Sequence, residues 1–462
     1  MQKQKNNKEA YSQVFISSKT GDSKRIYAKR RRELMCKLDS FCVFAGMQVE
    51  PGCEEAFVQT WTKMVQEPSF LYLTGINQAG CYLVLDPARK KETLFVPRKD
   101  PFKEFWVGLR LGYAGGKAEI SSLTGIADVR PIDELWPFVS DLARRYSSGR
   151  GGVRHAYAFF FPKFTGDHNS KLASDLRKQL RPFGMEIKSC AEKHFEDRLV
   201  LGPERIAEAK RAQKASELAF REMLANMRNF KTERDLMLFL NYGMQKRSDG
   251  DLAFPTICAG GENACCLHYV KNDEALRGGS LVLLDFGVRY GTLHSDISRT
   301  IPVNGKFDPL QALLYQIVLD SAEAYKKAVR PGVSLKEIGN IPWDFIMEAL
   351  DTRLVRAHSG KFKLLYDRRP HGVSHFIGEQ IHEGIAGTRS LDTVLRPGMF
   401  ISCEPGIYGE FSGIFDGKRI SAKIGIRIED DLLITASGFR NLSASIPKSV
   451  DELERLMRPA CE

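Results

Sequence analysis

The apolar runs of this chain are short, and each gives way within a few residues to a stretch of helical composition. "FCVFAGM" at 41–47, "CYLVL" at 81–85, "TLFV" at 93–96 and "AYAFFF" at 156–161 have the length and residue types of buried strands. Helical patterns lie between them, around 56–66 and 132–145. Strands alternating with helices stack as sheet and helix layers, so residues 25–200 are predicted to form an α/β domain with a mixed sheet. The pattern breaks at 199–202. Pro203 then suits the start of a helix over 203–228, where apolar positions 206, 207, 219, 220, 223 and 224 return at helical spacing. A second helix is expected over 231–246, opened by Thr232 with Asp235 three residues on, a capping box with Asp in place of Glu or Gln. Beyond 250, "LVLLD" (281–285), "MFISCE" (399–404) and "IGIRIEDDLLI" (424–434) read as strands, and 309–328 and 334–354 as helices. Residues 201–462 are therefore predicted to be an α+β domain with antiparallel hairpins.

Residues 1–24 are polar and are expected to be a flexible basic tail. Residues 1–40 carry eleven Lys and Arg against four Asp and Glu, densest in "KRIYAKRRR" (24–32), and the whole chain has a net charge of +11. Such a patch fits either a nucleic-acid or membrane contact or a solvated tail running into a helix. No RNA-binding signature or zinc finger accompanies it, so the solvated reading is preferred and nucleic acid is not expected as a partner. No stretch nears the ~18 apolar residues of a membrane-spanning helix, and no signal-peptide core is seen at the N-terminus. The ten cysteines include no CxxC pair, which suits free thiols in a reducing cytoplasm.

Four segments concentrate chemistry. In "LVLLDFGVRYGTLHSDISRT" (281–300), Asp285 ends an apolar run and Asp296 follows after a turn at Gly291. Two paired strands would bring them together, and two close carboxylates need a proton or cation between them. "HGVSHFIGEQIHE" (371–383) holds His371, His375 and His382, three of the nine histidines, in a segment whose Pro and Gly residues predict a shaped loop. Glu404 ends the strand of "MFISCE" and is aimed by Pro405 and Gly406. In "IGIRIEDD" (424–431) the two-residue strand period puts Arg427 and Glu429 on one face, where the Arg could orient a metal-bound carboxylate. Each segment alone also fits an ordinary surface turn or hairpin. Together they offer four carboxylates and an imidazole, a charge that offsets two divalent cations, and oxygen-rich ligands favour a hard ion such as manganese.

Asp285, Asp296, His375, Glu404 and Glu429, in this order and spacing, resemble the five metal ligands of the pita-bread metallopeptidases: methionine aminopeptidase, prolidase and aminopeptidase P. The match covers roughly 200–445 and includes "GENACCLHY" (261–269). The resemblance implies a creatinase/methionine-aminopeptidase-like catalytic domain binding two divalent ions, with Mn2+ expected. It implies that Glu404 is the acid/base and that His268, His371 and His382 bind substrate and stabilise the tetrahedral intermediate, with Arg427 beside them. An upstream domain and "DPFKEFWVGLRLGY" (100–113) are similar to aminopeptidase P, implying a ribonuclease-H-like fold for 25–200. The implied activity is release of the N-terminal residue from peptides with proline second. The alternatives are a prolidase confined to Xaa-Pro dipeptides and a non-catalytic binding module. A homodimer or tetramer is also implied. By the same resemblance Trp106 reaches a substrate pocket of a neighbouring subunit, against the plainer expectation of a packed core tryptophan.

Overall fold

The structure, a computed structural model, describes residues 14, 23–48, 66–114, 117–148, 152–160, 170–248, 251–383 and 389–458. The helix expected around 56–66 lies outside these residues except for Gln66, as does most of the expected tail. Val14 is described: it is buried, and its carbonyl accepts from the Asn77 amide at 2.7 Å. The chain divides into two compact units, Met1–Arg198 and Leu199–Glu462.

The first unit is built on six strands: β1 Cys42–Ala45, β2 Tyr82–Asp86, β3 Lys91–Val96, β4 Asp128–Pro131, β5 His155–Ala158 and β6 Glu186–Ser189. Their order is β4-β3-β2-β1-β5-β6, and the sheet is mixed as predicted. β1–β2 and β2–β3 are antiparallel; β1–β5, β5–β6 and β3–β4 are parallel. Successive β1 side chains enter different cores. Cys42 and Phe44 pack with Leu34, Phe70 and Leu73, whereas Val43 and Ala45 pack with Val139, Leu142 and Leu176. A strand covered on both faces has no polar side, which is why these runs are continuously apolar.

The basic segment belongs to helix Ser23–Met35, in line with a tail running into a helix, and Arg25, Lys29 and Arg32 are exposed; the solvated reading is corrected for Arg30 and Arg31. Arg31 is fully buried, donating to the Glu92 carboxylate at 2.7 Å and the Leu73 carbonyl at 2.8 Å. Arg30 lies 4.1 Å over the Tyr72 ring and donates to the Tyr72 carbonyl at 2.9 Å. A buried guanidinium is tolerable when paired and hydrogen-bonded in this way.

In the second unit, helices Pro203–Ala225 and Glu233–Gln245 form as expected, and the Thr232–Asp235 capping box is present in both directions. The first helix buries Ala209, Ala212, Ala215 and Ala219 in addition to the larger apolar residues. Small side chains let its neighbours come close. The strands are β7 Ile257–Gly260, β8 Leu281–Phe286, β9 Arg289–Tyr290, β10 Leu293–His294, β11 Ile297–Pro302, β12 Lys361–Leu364, β13 Phe400–Cys403, β14 Gly406–Phe415, β15 Lys418–Arg427, β16 Asp430–Ile434 and β17 Phe439–Asn441. They pair antiparallel as β11-β8-β7, β12-β14-β15, β13-β16-β17 and the small β9–β10 hairpin.

Two sequence expectations are revised. The run 424–434 is not one strand: it breaks at Ile428–Glu429, because β15 pairs with β14 while β16 pairs with β13 and β17. The helical pattern 334–354 is split into Leu335–Ile338 and Ile341–Ala349, followed by a π-helical turn at Leu350–Arg356. Pro342, in the first turn of the second piece, has no amide hydrogen to continue a helix from the first. Among the described residues no helix is long and apolar enough to cross a membrane.

Between β8 and β11 the chain makes a tight excursion through β9 and β10. Gly291 turns it with φ +61°. A Cβ on Gly287 would sit 2.0 Å from the Ser295 carbonyl oxygen. This close approach lets the excursion fold back so that Asp296 returns beside Asp285. Gly287→Ala is therefore expected to lower stability by about 2 kcal/mol or more. Gly278→Ala, where nothing lies within 4 Å of the added carbon, should stay within roughly 0.5 kcal/mol of the parent. Urea unfolding midpoints of the two variants measure this, and equal midpoints would contradict it.

Candidate metal centre

Three pairings deliver the acidic side chains to one place. β8 and β11 set Asp285 opposite Ser298, with Asp296 just before β11. β13 and β16 set Cys403 opposite Asp430, so Glu404 and Glu429 leave the same end of that ladder. The loop containing His375 runs beside β13 as an irregular strand. The Ile377 amide donates to the Phe400 carbonyl, Ser402 to His375, and Glu404 to Val373, each at 2.9 Å. This is the shaped loop expected from its Pro and Gly residues.

The ligand-type atoms of Asp285, Asp296 and Glu429 lie within 4.8 Å of one another, and so do those of His375, Glu404 and Glu429. Glu429 belongs to both groups. A third grouping, Asp296, His375 and His382, meets the same distance, so His382 stands closer to the carboxylates than a purely substrate-facing residue requires. The His375 Nδ1 hydrogen is directed to the Phe376 carbonyl at 3.1 Å. That leaves Nε2 facing Asp296 at 3.3 Å and Glu404 at 3.5 Å with its lone pair free for a cation.

Burial and crowding govern the protons. Burial, then the neighbouring carboxylates, hold the Asp296 and Glu429 carboxyls well above the usual range. Burial likewise pushes Glu404 up to about 7, with His375 and Arg427 pulling against it. Four carboxylates face one guanidinium, and two of their oxygens, Asp285 Oδ1 and Glu429 Oε1, are buried with no hydrogen-bond partner. A cation-binding cage fits this donor set: oxygen and imidazole ligands, excess negative charge, and unsatisfied acceptors pointing inward.

Arg427 is placed differently from the strand-period expectation. β15 ends at Arg427, so Arg427 and Glu429 do not share a strand face. Arg427 is buried and donates to Asp285 Oδ2 at 2.6 Å, Ser298 Oγ at 2.8 Å and the Tyr408 hydroxyl at 3.1 Å. Ser298 Oγ in turn donates to Glu429 Oε2 at 3.0 Å. The Tyr408 hydroxyl donates to His371 Nε2 at 3.1 Å, while His371 Nδ1 hydrogen-bonds the Gly372 carbonyl at 2.7 Å. Burial, then Arg427, lowers His371 to about 4, and burial, then His375, lowers His382 to about 4, so both rings are neutral at pH 7. His268 is exposed and lies near enough for its charge to depress both of them. Trp106 belongs to the first unit. It is 64% exposed beside Phe102 and Phe105, which rules out the packed-core expectation.

The sequence reading missed Ser298, Tyr408 and the supporting acids. Asp430 is fully buried between Arg299, Lys326 and Lys448. Asp431 accepts from the Asp296 amide at 2.9 Å and from the Gln213 side chain. Three acidic residues in a row inside an apolar strand pattern was the visible signal, since buried acids are rare unless paired.

The description "Metallopeptidase family M24" matches residues 207–436, and "Aminopeptidase P, N-terminal domain" matches 27–149. The chain is 33% identical to Xaa-Pro aminopeptidase 3 of Rattus norvegicus, covering 85% of this chain and 76% of that protein. It is 30% identical to Xaa-Pro aminopeptidase of Escherichia coli, covering 94% of this chain and 98% of that one. Among solved structures, aminopeptidase P from E. coli with the inhibitor Pro-Leu superposes with a TM-score of 0.77 at 27% identity, covering 95% and 99% of the two chains.

Carboxyls held protonated towards neutral pH must release their protons before a divalent cation can bind. Cation affinity is therefore expected to rise with pH from 6 to 8, with protons released on binding at the lower end. Titration calorimetry in two buffers of different ionisation enthalpy reads that release. Binding without proton release at pH 6, or affinity independent of pH, would contradict the description of the cage.

Proposed function

Because the chain belongs to metallopeptidase family M24, among its Xaa-Pro aminopeptidases, we propose that Asp285, Asp296, His375, Glu404 and Glu429 hold two divalent cations, with manganese as the ion, and that His268, His371, His382 and Arg427 complete the machinery around them. The enzyme releases the N-terminal residue from peptides in which proline stands second. The observation that carries the residue assignment is the pair of ligand groups sharing Glu429, with buried, unpartnered oxygens on Asp285 and Glu429.

Divalent cations in such a cage supply Lewis acidity and make water an effective nucleophile near neutral pH. The remaining steps belong to the side chains. Glu404 takes a proton from the attacking water and passes it to the proline nitrogen as that nitrogen leaves. Neutral His382, with His268 close by, donates a hydrogen bond to the carbonyl oxygen as negative charge develops on it. Arg427 holds Asp285 and, through Tyr408, fixes the ring of His371 on the substrate side. The scissile amide carries no hydrogen when its nitrogen is proline's, so nothing in the site has to accept one.

The reading includes a cytoplasmic location. The eight cysteines among the described residues are all free thiols, which supports a reducing compartment. A homo-oligomer, dimer or tetramer, is supported by the exposed aromatic side chains of helix Pro101–Val107, where Phe102, Phe105 and Trp106 are 70%, 81% and 64% exposed. Light scattering of the purified protein checks the assembly.

A peptide panel tests the activity. Xaa-Pro-Xaa tripeptides should be cleaved after the first residue, Xaa-Ala-Xaa tripeptides should not, and chelation should abolish turnover until manganese is returned. Cleavage confined to Xaa-Pro dipeptides would replace this reading with a prolidase. His382→Ala should lower kcat by about 100-fold or more with bound cation unchanged, and undiminished turnover would remove His382 from the machinery.

A further inference from the structure

Glu233 is a buried acid that the mechanism above does not use. It is the first residue of helix Glu233–Gln245 and is 0% exposed. Its Oε1 accepts from the Gly260 amide at 2.7 Å and the Asn263 side-chain amide at 2.9 Å. Its Oε2 accepts from the Tyr269 hydroxyl at 2.8 Å and the Glu274 amide at 3.0 Å. All four donors lie in the segment 260–274, which carries His268. The backbone ties the same pieces together. The Glu233 amide donates to the Glu274 carbonyl at 2.9 Å, and the Leu276 amide to the Lys231 carbonyl at 2.8 Å.

The His268 ring itself is exposed and has no hydrogen-bond partner among the described residues. Its place is therefore set by the backbone on which it is mounted. That backbone is clasped on both sides of His268 by one carboxylate, from Asn263 before it and from Tyr269 and Glu274 after it. The cost of burying this charge is offset by four charge-assisted hydrogen bonds and by the positive end of the helix it begins. Glu233 is in none of the cation-ligand groups.

We propose that Glu233 is a positioning residue that holds His268 in register for the scissile carbonyl, with Tyr269 and Asn263 as its relays. The inference rests on the reading of His268 as a group that contacts substrate. It implies that weakening the clasp acts on turnover through His268 and leaves cation binding alone.

The test is a double-mutant cycle in the full-length, cation-loaded protein, using Glu233→Gln, Tyr269→Phe and His268→Ala on an Xaa-Pro-Xaa tripeptide. Glu233→Gln puts an amide donor among donors and should lower kcat by roughly 10- to 100-fold, with KM moving far less and cation stoichiometry unchanged. Tyr269→Phe removes one of the four bonds and should act in the same direction more weakly. In the His268→Ala background both changes should lose their effect on kcat/KM. Losses that multiply with that of His268→Ala, or a fall in bound cation, would overturn the proposal. If Glu233→Gln does not fold, the Tyr269→Phe cycle decides by the same criterion. A parent protein that leaves every Xaa-Pro peptide intact would overturn the functional reading itself and this inference with it, whereas multiplicative losses in an active protein overturn the inference alone.

Discussion

Repulsion among four crowded carboxylates is the constraint around which the catalytic unit is arranged. At neutral pH, Asp285, Asp296, Glu404 and Glu429 cannot all be ionised at this separation with one guanidinium for company. The strain shows as carboxyls held above their ordinary range and as oxygens without donors. In the proposed reading, divalent cations held by these residues would relieve it by offsetting the charge. The sheet pairings matter functionally because they hold the ligands together against this repulsion.

A second electrostatic layer makes that possible. The run Glu429, Asp430, Asp431 sends successive carboxylates to different places. Glu429 enters the cage. Asp430 is clasped by Arg299, Lys326 and Lys448, whose charges outweigh the effect of burial and keep it well below the ordinary carboxylate range. Asp431 secures the Asp296 amide. Arg299 also donates to the Ser298 carbonyl at 2.9 Å and to the Glu429 carbonyl. The backbone on either side of the cage is therefore held by Arg299, Asp430 and Asp431, side chains outside the ligand groups, as expected where ligand orientation governs metal affinity.

Much of this was legible in the sequence, for identifiable reasons. The most apolar strands, β1, β2, β3, β5, β8 and β13, stood out because apolar runs ending at turn residues have few other uses, whereas β4, β6, β7, β12, β14 and β17 did not. The five convergent side chains were legible as a set because their types and order are specific, although no single one was persuasive. The supporting layer was not legible. Arg299 and Lys326 look like ordinary surface charges until burial is known. Tyr408 gains its meaning from where β14 and β15 bring it, beside His371 and Arg427. The break at Ile428–Glu429 escaped because strand periodicity carries no information about which sheet a residue joins. Arg31 of the basic N-terminal helix was misjudged for a related reason: charge density does not reveal that its side chain points inward to Glu92.

The most direct measurement is anomalous diffraction at the manganese edge from crystals grown with manganese. The account predicts two peaks about 3.5–4 Å apart, one against Asp285, Asp296 and Glu429 and the other against His375, Glu404 and Glu429. No peak among these residues, or a single ion held elsewhere, would contradict it.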